Sequence, residues 1–126
     1  MTLKVVSTNG APTAIGPYSQ GIDAGNLVFV AGQVGRDPST GELAEGLEAQ
    51  ADRVMKNISA ILDAAGLTFA DVAKTTVLLV DINDFEAVNA VYARYISDPK
   101  PARATYAVTA LPRGALVEIE AFAVRA

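Results

Sequence analysis

Pro99-Lys-Pro-Ala-Arg-Ala-Thr-Tyr-Ala-Val-Thr-Ala-Leu-Pro-Arg-Gly-Ala-Leu-Val-Glu-Ile-Glu-Ala-Phe-Ala-Val124 is the stretch whose reading decides the fold. It reads as two strands joined by a tight turn. Leu111-Pro-Arg-Gly114 has Pro at its second position and Gly at its fourth, the preference of a type I turn. The first strand starts at Arg103, past the stiff Pro99-Lys-Pro101, and the second runs from Leu116 to Val124. Alternation puts Val117, Ile119, Ala121 and Ala123 on one face and Glu118, Glu120, Phe122 and Val124 on the other. A plainly solvated face would not pass from two carboxylates to Phe and Val. That face is therefore expected to be partly covered, with Glu118 and Glu120 as candidates for a cleft. Arg103, at the edge of the partner strand, is the cation expected to face them. The alternative is a cross-strand Arg–Glu ion pair that only pins the hairpin.

Outward from this stretch, the chain of 126 residues reads as one domain, 1–126, long enough for a core of its own. Hydrophobic residues make up 51 %, which excludes wholesale disorder. The net charge of −4 argues against non-specific nucleic-acid binding. No apolar run approaches a membrane span, and the opening residues are too polar for a signal peptide, so a cytoplasmic protein is the expectation. The chain has neither Cys nor His. A thiolate nucleophile, a thiolate metal site, an imidazole base and a Ser-His-Asp triad are all excluded. This removes most hydrolase and metal-enzyme classes and leaves catalysis to Arg, Lys, Tyr, hydroxyls, carboxylates, backbone groups or water; the carboxylates are scattered, with no metal-ligand cluster.

Upstream, Lys4 to Ser7 is a short strand candidate. The loop Asn9 to Tyr18 carries two Pro and two Gly, and Tyr18 follows Gly16-Pro17. Its ring either packs the loop down or presents a hydroxyl to a ligand. Gly21 to Ala24, a Gly25-Asn26 turn and Leu27 to Val34 form a hairpin. Gly32 inside the second strand signals either a bulge or the close approach of a ligand or another backbone. A first helix spans 46–65, with Leu47, Ala51, Val54, Met55, Ile58, Ile61 and Leu62 on one stripe and Gly66 as its C′ residue. The sequon Asn57-Ile-Ser59 lies mid-helix and is discarded as a glycan site. Val72 to Val80 is a strand. Asn83-Asp-Phe-Glu86 resembles a capping box that opens a second helix running to Ile96. Asn89 sits on that helix's apolar side and needs a partner there, a loop carbonyl or a ligand.

The order β, ββ, α, β, α, ββ suits a mixed sheet with two helices on one face, an α+β fold. Yet strands 27–34 and 75–80 are apolar on both faces. The uncovered face would leave several large side chains in water, each worth roughly 1.5–3 kcal/mol on full burial. Packing of that face on further copies of the chain, as a closed ring, is the economical solution. No phosphate-binding glycine loop is present.

The chain resembles the Rid family of reactive intermediate deaminases. The resemblance rests on Ala14-Ile-Gly-Pro-Tyr-Ser-Gln-Gly21, Val30-Ala-Gly-Gln-Val34, Lys74-Thr-Thr-Val77, Asp84-Phe-Glu-Ala-Val-Asn89, Pro101-Ala-Arg103 and the run from Leu111 to Val124. It implies a chorismate-mutase-like α+β fold and a homotrimer with clefts between subunits. It also implies cofactor-independent hydrolysis of 2-imino acids such as 2-iminobutanoate and 2-iminopropanoate, or their enamine tautomers, to 2-keto acids and ammonia. By the same resemblance Arg103 binds the substrate carboxylate, Glu118 positions and deprotonates water, and Tyr18 belongs to the catalytic loop. Gly32, Asn89 and Thr105 fall on pocket positions. Thr105 stands where Cys is frequent, and Lys100 where an aromatic is common. The competing expectations are a deaminase of a larger catabolic enamine, a non-catalytic small-carboxylate binder or chaperone-like protein, and a ribonuclease. The acidic charge and the lack of His oppose the last.

Overall fold

A computed structural model describes residues 2–126. In chain order the elements are β1 (Lys4–Val6), β2 (Gly21–Asp23), β3 (Leu27–Val34), α1 (Leu47–Ala64), β4 (Val72–Leu79), α2 (Phe85–Ala93), β5 (Ala102–Ala107) and β6 (Val117–Val124). The strands form one mixed sheet in the order β1-β2-β3-β6-β4-β5. β4 and β5 run parallel, and the other neighbours are antiparallel. The α+β expectation of a mixed sheet with two helices holds.

The expected hairpin between the last two strands does not. β4 lies between them, pairing with β5 on one edge and with β6 on the other. Turn chemistry at Leu111–Gly114 is real but local. The chain between β5 and β6 is long enough to step over one strand, a lateral move of roughly 10 Å. The apolar β4 thereby gains a partner on both edges, and the parallel β4–α2–β5 connection carries the helix such a crossover requires. The turn itself is not type I. Arg113 sits at φ 60°, ψ 19° and Gly114 at φ 72°, closer to the third position of a type II turn.

α1 matches its apolar stripe, with Val54, Met55, Ile58, Ile61 and Leu62 fully buried. Its end is a Schellman motif: Leu67 N–H donates to the Leu62 carbonyl and Gly66 N–H to that of Asp63, with Gly66 at φ 77°. The second helix differs from its expectation at both ends. The Asn83–Glu86 capping box does not form. Asp81 caps instead, its side chain accepting from Asn83 N–H ahead of a 3₁₀ turn over Ile82–Asp84. α2 then stops at Ala93, short of Ile96. Val88, Val91 and Tyr92 are its buried residues, while Phe85 stays half outside.

In β6 the alternation is as expected: Val117, Ile119, Ala121 and Ala123 are buried against the helices and Glu118, Glu120 and Phe122 are not. Register carries this pattern across the sheet. Leu78 and Thr76 stand opposite Glu118 and Glu120, and Phe29 stands opposite Phe122 and Ile22. The face away from the helices thus carries Val5, Ile22, Phe29, Phe122, Leu78 and Tyr106. Val5 is 67 % exposed and Tyr106 57 %. Phe29 and Phe122 meet edge to face at 5.3 Å between centroids. This uncovered apolar face is what the two-faced strands led us to expect.

Candidate active site

Glu118 sits near the start of β6, between Val34 on β3 and Leu78 on β4. Its carboxyl points into a cavity of about 320 Å³ walled by Ile15, Tyr18, Gly32, Val34, Arg36 and the Pro112–Arg113 turn. β3 makes room for it. The register between β3 and β6 slips between Val30 and Gln33, so Gly32 lies in a bulge. A Cβ at Gly32 would stand 3.1 Å from Cδ and Oε2 of Glu118. The bulge is realised, and what comes close to Gly32 is not another backbone but the Glu118 carboxyl. That carboxyl has no ion-pair partner among the described residues. Burial, and then the neighbouring charge of Glu120, push its pKa above the ordinary glutamate value.

Tyr18 meets its own loop through its hydroxyl and leaves half of its surface outside. It is 50 % exposed, beside the Glu118 cavity, with its hydroxyl 3.4 Å from Ile15 N–H. The loop is held by a residue the sequence did not advertise. Buried Gln20 donates to the carbonyls of Thr8, Ala11 and Pro12 and accepts from Thr8 N–H. A Gln after a Gly/Pro loop carries no signal for this.

Arg103 lies elsewhere. In β5 it pairs with Thr75 of β4, so its side chain shares Thr75's face, the helix side. Glu118 is opposite Leu78, on the other face. The expected Arg103–Glu118 and Arg103–Glu120 pairing within one chain is thus wrong: β4 separates the strands, and the side chains point to opposite sides of the sheet. Arg103 is instead held by α2. Its Nη1 donates to Asn89 Oδ1 at 2.7 Å, and its guanidinium carbon lies 5.0 Å from the Tyr92 ring centroid and 5.4 Å from that of Phe85. Tyr92 is fixed in turn by a buried 2.7 Å hydrogen bond between its hydroxyl and Thr75 Oγ1. Asn89 thus finds its partner in a site candidate, Arg103, and not in a loop carbonyl. Thr105, two residues on in β5, shares Arg103's face. Arg103 pairs with no carboxylate among the described residues, and its remaining donors border an apolar recess of about 350 Å³ lined also by Tyr92, Ile96, Lys100 and Pro101.

One chain therefore presents two half-sites. One is a preorganised guanidinium on the helix side, suited to clamping a carboxylate. The other is a half-buried carboxyl, its pKa raised, in a cavity on the bare side. No cluster of His, Cys, Asp and Glu able to hold a metal occurs among the described residues, and no helix is long and apolar enough to cross a membrane.

Fold and half-sites define a small α+β protein of the Rid type. The family profile described as Endoribonuclease L-PSP matches residues 8–125, and the chain belongs to that family. The 2-iminobutanoate/2-iminopropanoate deaminase of Mus musculus is 53 % identical to it over 97 % of this chain and 91 % of that protein. Among solved structures, RidA from the Antarctic bacterium Psychrobacter sp. PAMC 21119 superposes with a TM-score of 0.95 at 47 % identity, covering 97 % of this chain and 99 % of that one. E. coli TdcF with bound serine superposes at 0.94 with 42 % identity, covering 98 % and 99 %.

Proposed function

We propose that this chain is a deaminase of 2-imino acids, 2-iminobutanoate and 2-iminopropanoate among them, that releases the 2-keto acid and ammonia. The observation that carries this reading is the pair of half-sites, an arginine held free of any carboxylate partner among the described residues and a half-buried glutamate facing a cavity, its pKa raised by burial and by Glu120. The 53 % identity to a protein named for that activity supports it. Arg103 anchors the substrate carboxylate, steadied by Asn89 and the Tyr92 and Phe85 rings. Deprotonated Glu118 orients a water towards the imine carbon and takes one of its protons as the C–O bond forms. Glu118 passes that proton to nitrogen, giving the carbinolamine. The carbinol O–H proton then transfers to the amino group as C=O forms and the C–N bond breaks, so that ammonia leaves and Glu118 ends deprotonated. One water is consumed and one ammonia leaves, with neither oxidant nor reductant. Gly32 leaves room for the carboxyl, Tyr18 closes the cavity wall, and Thr105 lies along the carboxylate-binding strand. Positioning supplies most of the effect, since such imines also hydrolyse in free water.

The same reading requires more than one copy. With Arg103 and Glu118 on opposite faces, a complete site forms only when the helix side of one subunit meets the bare side of the next. A homotrimer, three such junctions closing a ring, buries the exposed Val5, Phe29 and Tyr106 in the same step. The test is to generate the imines in place with an amino-acid oxidase in the presence of semicarbazide. Wild type should divert imine from the trap into keto acid, and Arg103→Ala should not. Equal trapping with and without wild-type protein sinks the proposal for these substrates.

A further inference from the structure

The Glu118 cavity holds more positive charge than the reaction above uses. Arg36 and Arg113 both line it, and Glu118 is the one carboxylate among the described residues that does so. Neither arginine is in a salt bridge among the described residues. Arg36 is built in place. Its Nε donates to the Gly41 carbonyl at 2.9 Å, leaving both terminal nitrogens for other partners. Its own carbonyl accepts from Asn57 Nδ2 at 3.0 Å. Asn57 is a fully buried residue of α1 whose Oδ1 accepts from Arg53. Arg113 stands across the cavity on a backbone at φ 60°. A residue other than Gly rarely adopts that conformation, and such strain gathers at ligand clamps.

We propose that Arg36 and Arg113 form a second anion-binding subsite of the Glu118 cavity, which fits the enzyme to 2-imino acids carrying a second carboxylate, the imines of 2-oxo dicarboxylic acids. The inference rests on the deaminase reading and names a substrate class for it. The α-carboxylate goes to Arg103, the imine carbon to the Glu118 water, and the distal carboxylate to the two guanidiniums. Arginine suits this role because its planar fork meets a carboxylate with two parallel hydrogen bonds. At about 320 Å³ the cavity falls within the roughly 300–1,000 Å³ of small-molecule sites, which leaves space for the longer substrate.

The experiment compares 2-iminosuccinate, made in place from L-aspartate with an aspartate oxidase, with 2-iminobutanoate. Semicarbazide competes in both, and the proteins are wild type, Arg36→Met, Arg36→Lys and Arg113→Gln. The readout is the ratio of kcat/KM on the dianionic imine to that on the monoanionic one. It should fall about tenfold or more in Arg36→Met, fall in Arg113→Gln, and be partly kept in Arg36→Lys. Calorimetric titration with 2-oxoglutarate and 2-oxobutanoate gives a second readout independent of turnover. Wild type should prefer the dicarboxylate, and Arg36→Met should lose that preference. A ratio unmoved by all three substitutions overturns the subsite. So does a change confined to the oligomeric state, since the arginines would then serve only to join subunits. If wild type hydrolyses neither imine yet prefers 2-oxoglutarate through Arg36, the deaminase reading fails and the subsite stands. If it hydrolyses both with no such preference, only the subsite fails.

Discussion

At the scale of single residues, Glu118 gives the sharpest expectations. Its pKa is raised first by burial and then by Glu120. The native state therefore binds more protons than the unfolded chain between the ordinary glutamate value and the raised one, and stability is lost as pH rises through that window. Glu118→Gln removes the penalty. Its Tm should exceed that of wild type near pH 8 and approach it near pH 4; a gain at pH 4 alone would contradict the assignment. Under the proposed mechanism activity runs the other way, because the water would need a deprotonated carboxyl. The acid limb of kcat/KM should lie above the ordinary glutamate range and move down in Glu120→Gln. Gly32→Ala tests the cavity itself. The nearest atoms the added methyl meets belong to the flexible Glu118 side chain, so the unfolding free energy should change by less than about 1 kcal/mol. Turnover should fall about tenfold or more as the carboxyl is displaced. A variant that unfolds would mean the bulge carries structure and not only the site.

At the scale of elements, two close fits position the site. Gly35, just past β3, lies so near α1 that a Cβ would stand 2.6 Å from the Gln50 carbonyl oxygen and 2.7 Å from its Cα. Backbone cannot yield as a side chain tip can, so Gly35→Ala should cost about 1–3 kcal/mol in denaturant unfolding. A neutral result would show that α1 is free to shift. The second fit joins α1 to the end of α2. The Tyr95 hydroxyl donates to Asp52, and the Phe69 and Tyr95 rings meet at 5.8 Å. Burial, with Asp52 beside it, raises the Tyr95 pKa to about 12. The Tyr95 hydrogen bond, ahead of Lys56, lowers that of Asp52. Tyr95→Phe should lose about 1 kcal/mol at neutral pH, a modest figure because the Asp52 side chain keeps partial contact with solvent. Asp52's share vanishes as pH falls through its lowered pKa, while that of Tyr95 is lost as pH rises from the ordinary tyrosine value to about 12.

At the scale of the whole molecule, the geometry asks for complementation between subunits. Arg103→Ala and Glu118→Gln should each be nearly inactive alone. Mixed in equal amounts and allowed to exchange subunits, they should recover about one quarter of wild-type turnover, the chance that an intact Arg103 half meets an intact Glu118 half around a ring. No recovery, despite exchange proven by mass spectrometry, would put both residues of a site in one subunit. Charging the bare face tests assembly separately. Phe29→Glu should shift the particle towards the monomer in sedimentation, with activity lost in proportion.

The sequence by itself determined the element order, the stripe and C′ glycine of α1, the inward face of β6 and the two-faced strands that predict a partner for the bare sheet. These are periodicities of 3.6 and 2 residues plus local turn chemistry, and they need no knowledge of neighbours. It also singled out Arg103, Glu118, Tyr18, Gly32 and Asn89, through their setting in the chain and a family pattern. Only the tertiary structure decided strand order, because pairing is set by which edges remain free, and a turn such as Leu111–Gly114 reads the same whether its strands pair or step over a third. That one step parted Arg103 from Glu118, gave Asn89 its partner, and replaced a cross-strand ion pair with two half-sites. The buried polar anchors Gln20, Gln50 and Asn57 were equally out of reach. Each satisfies backbone groups far along the chain, as Asn57 does for Val34 and Arg36 and Gln50 for Leu116, and such partners are assigned by packing, not by spacing.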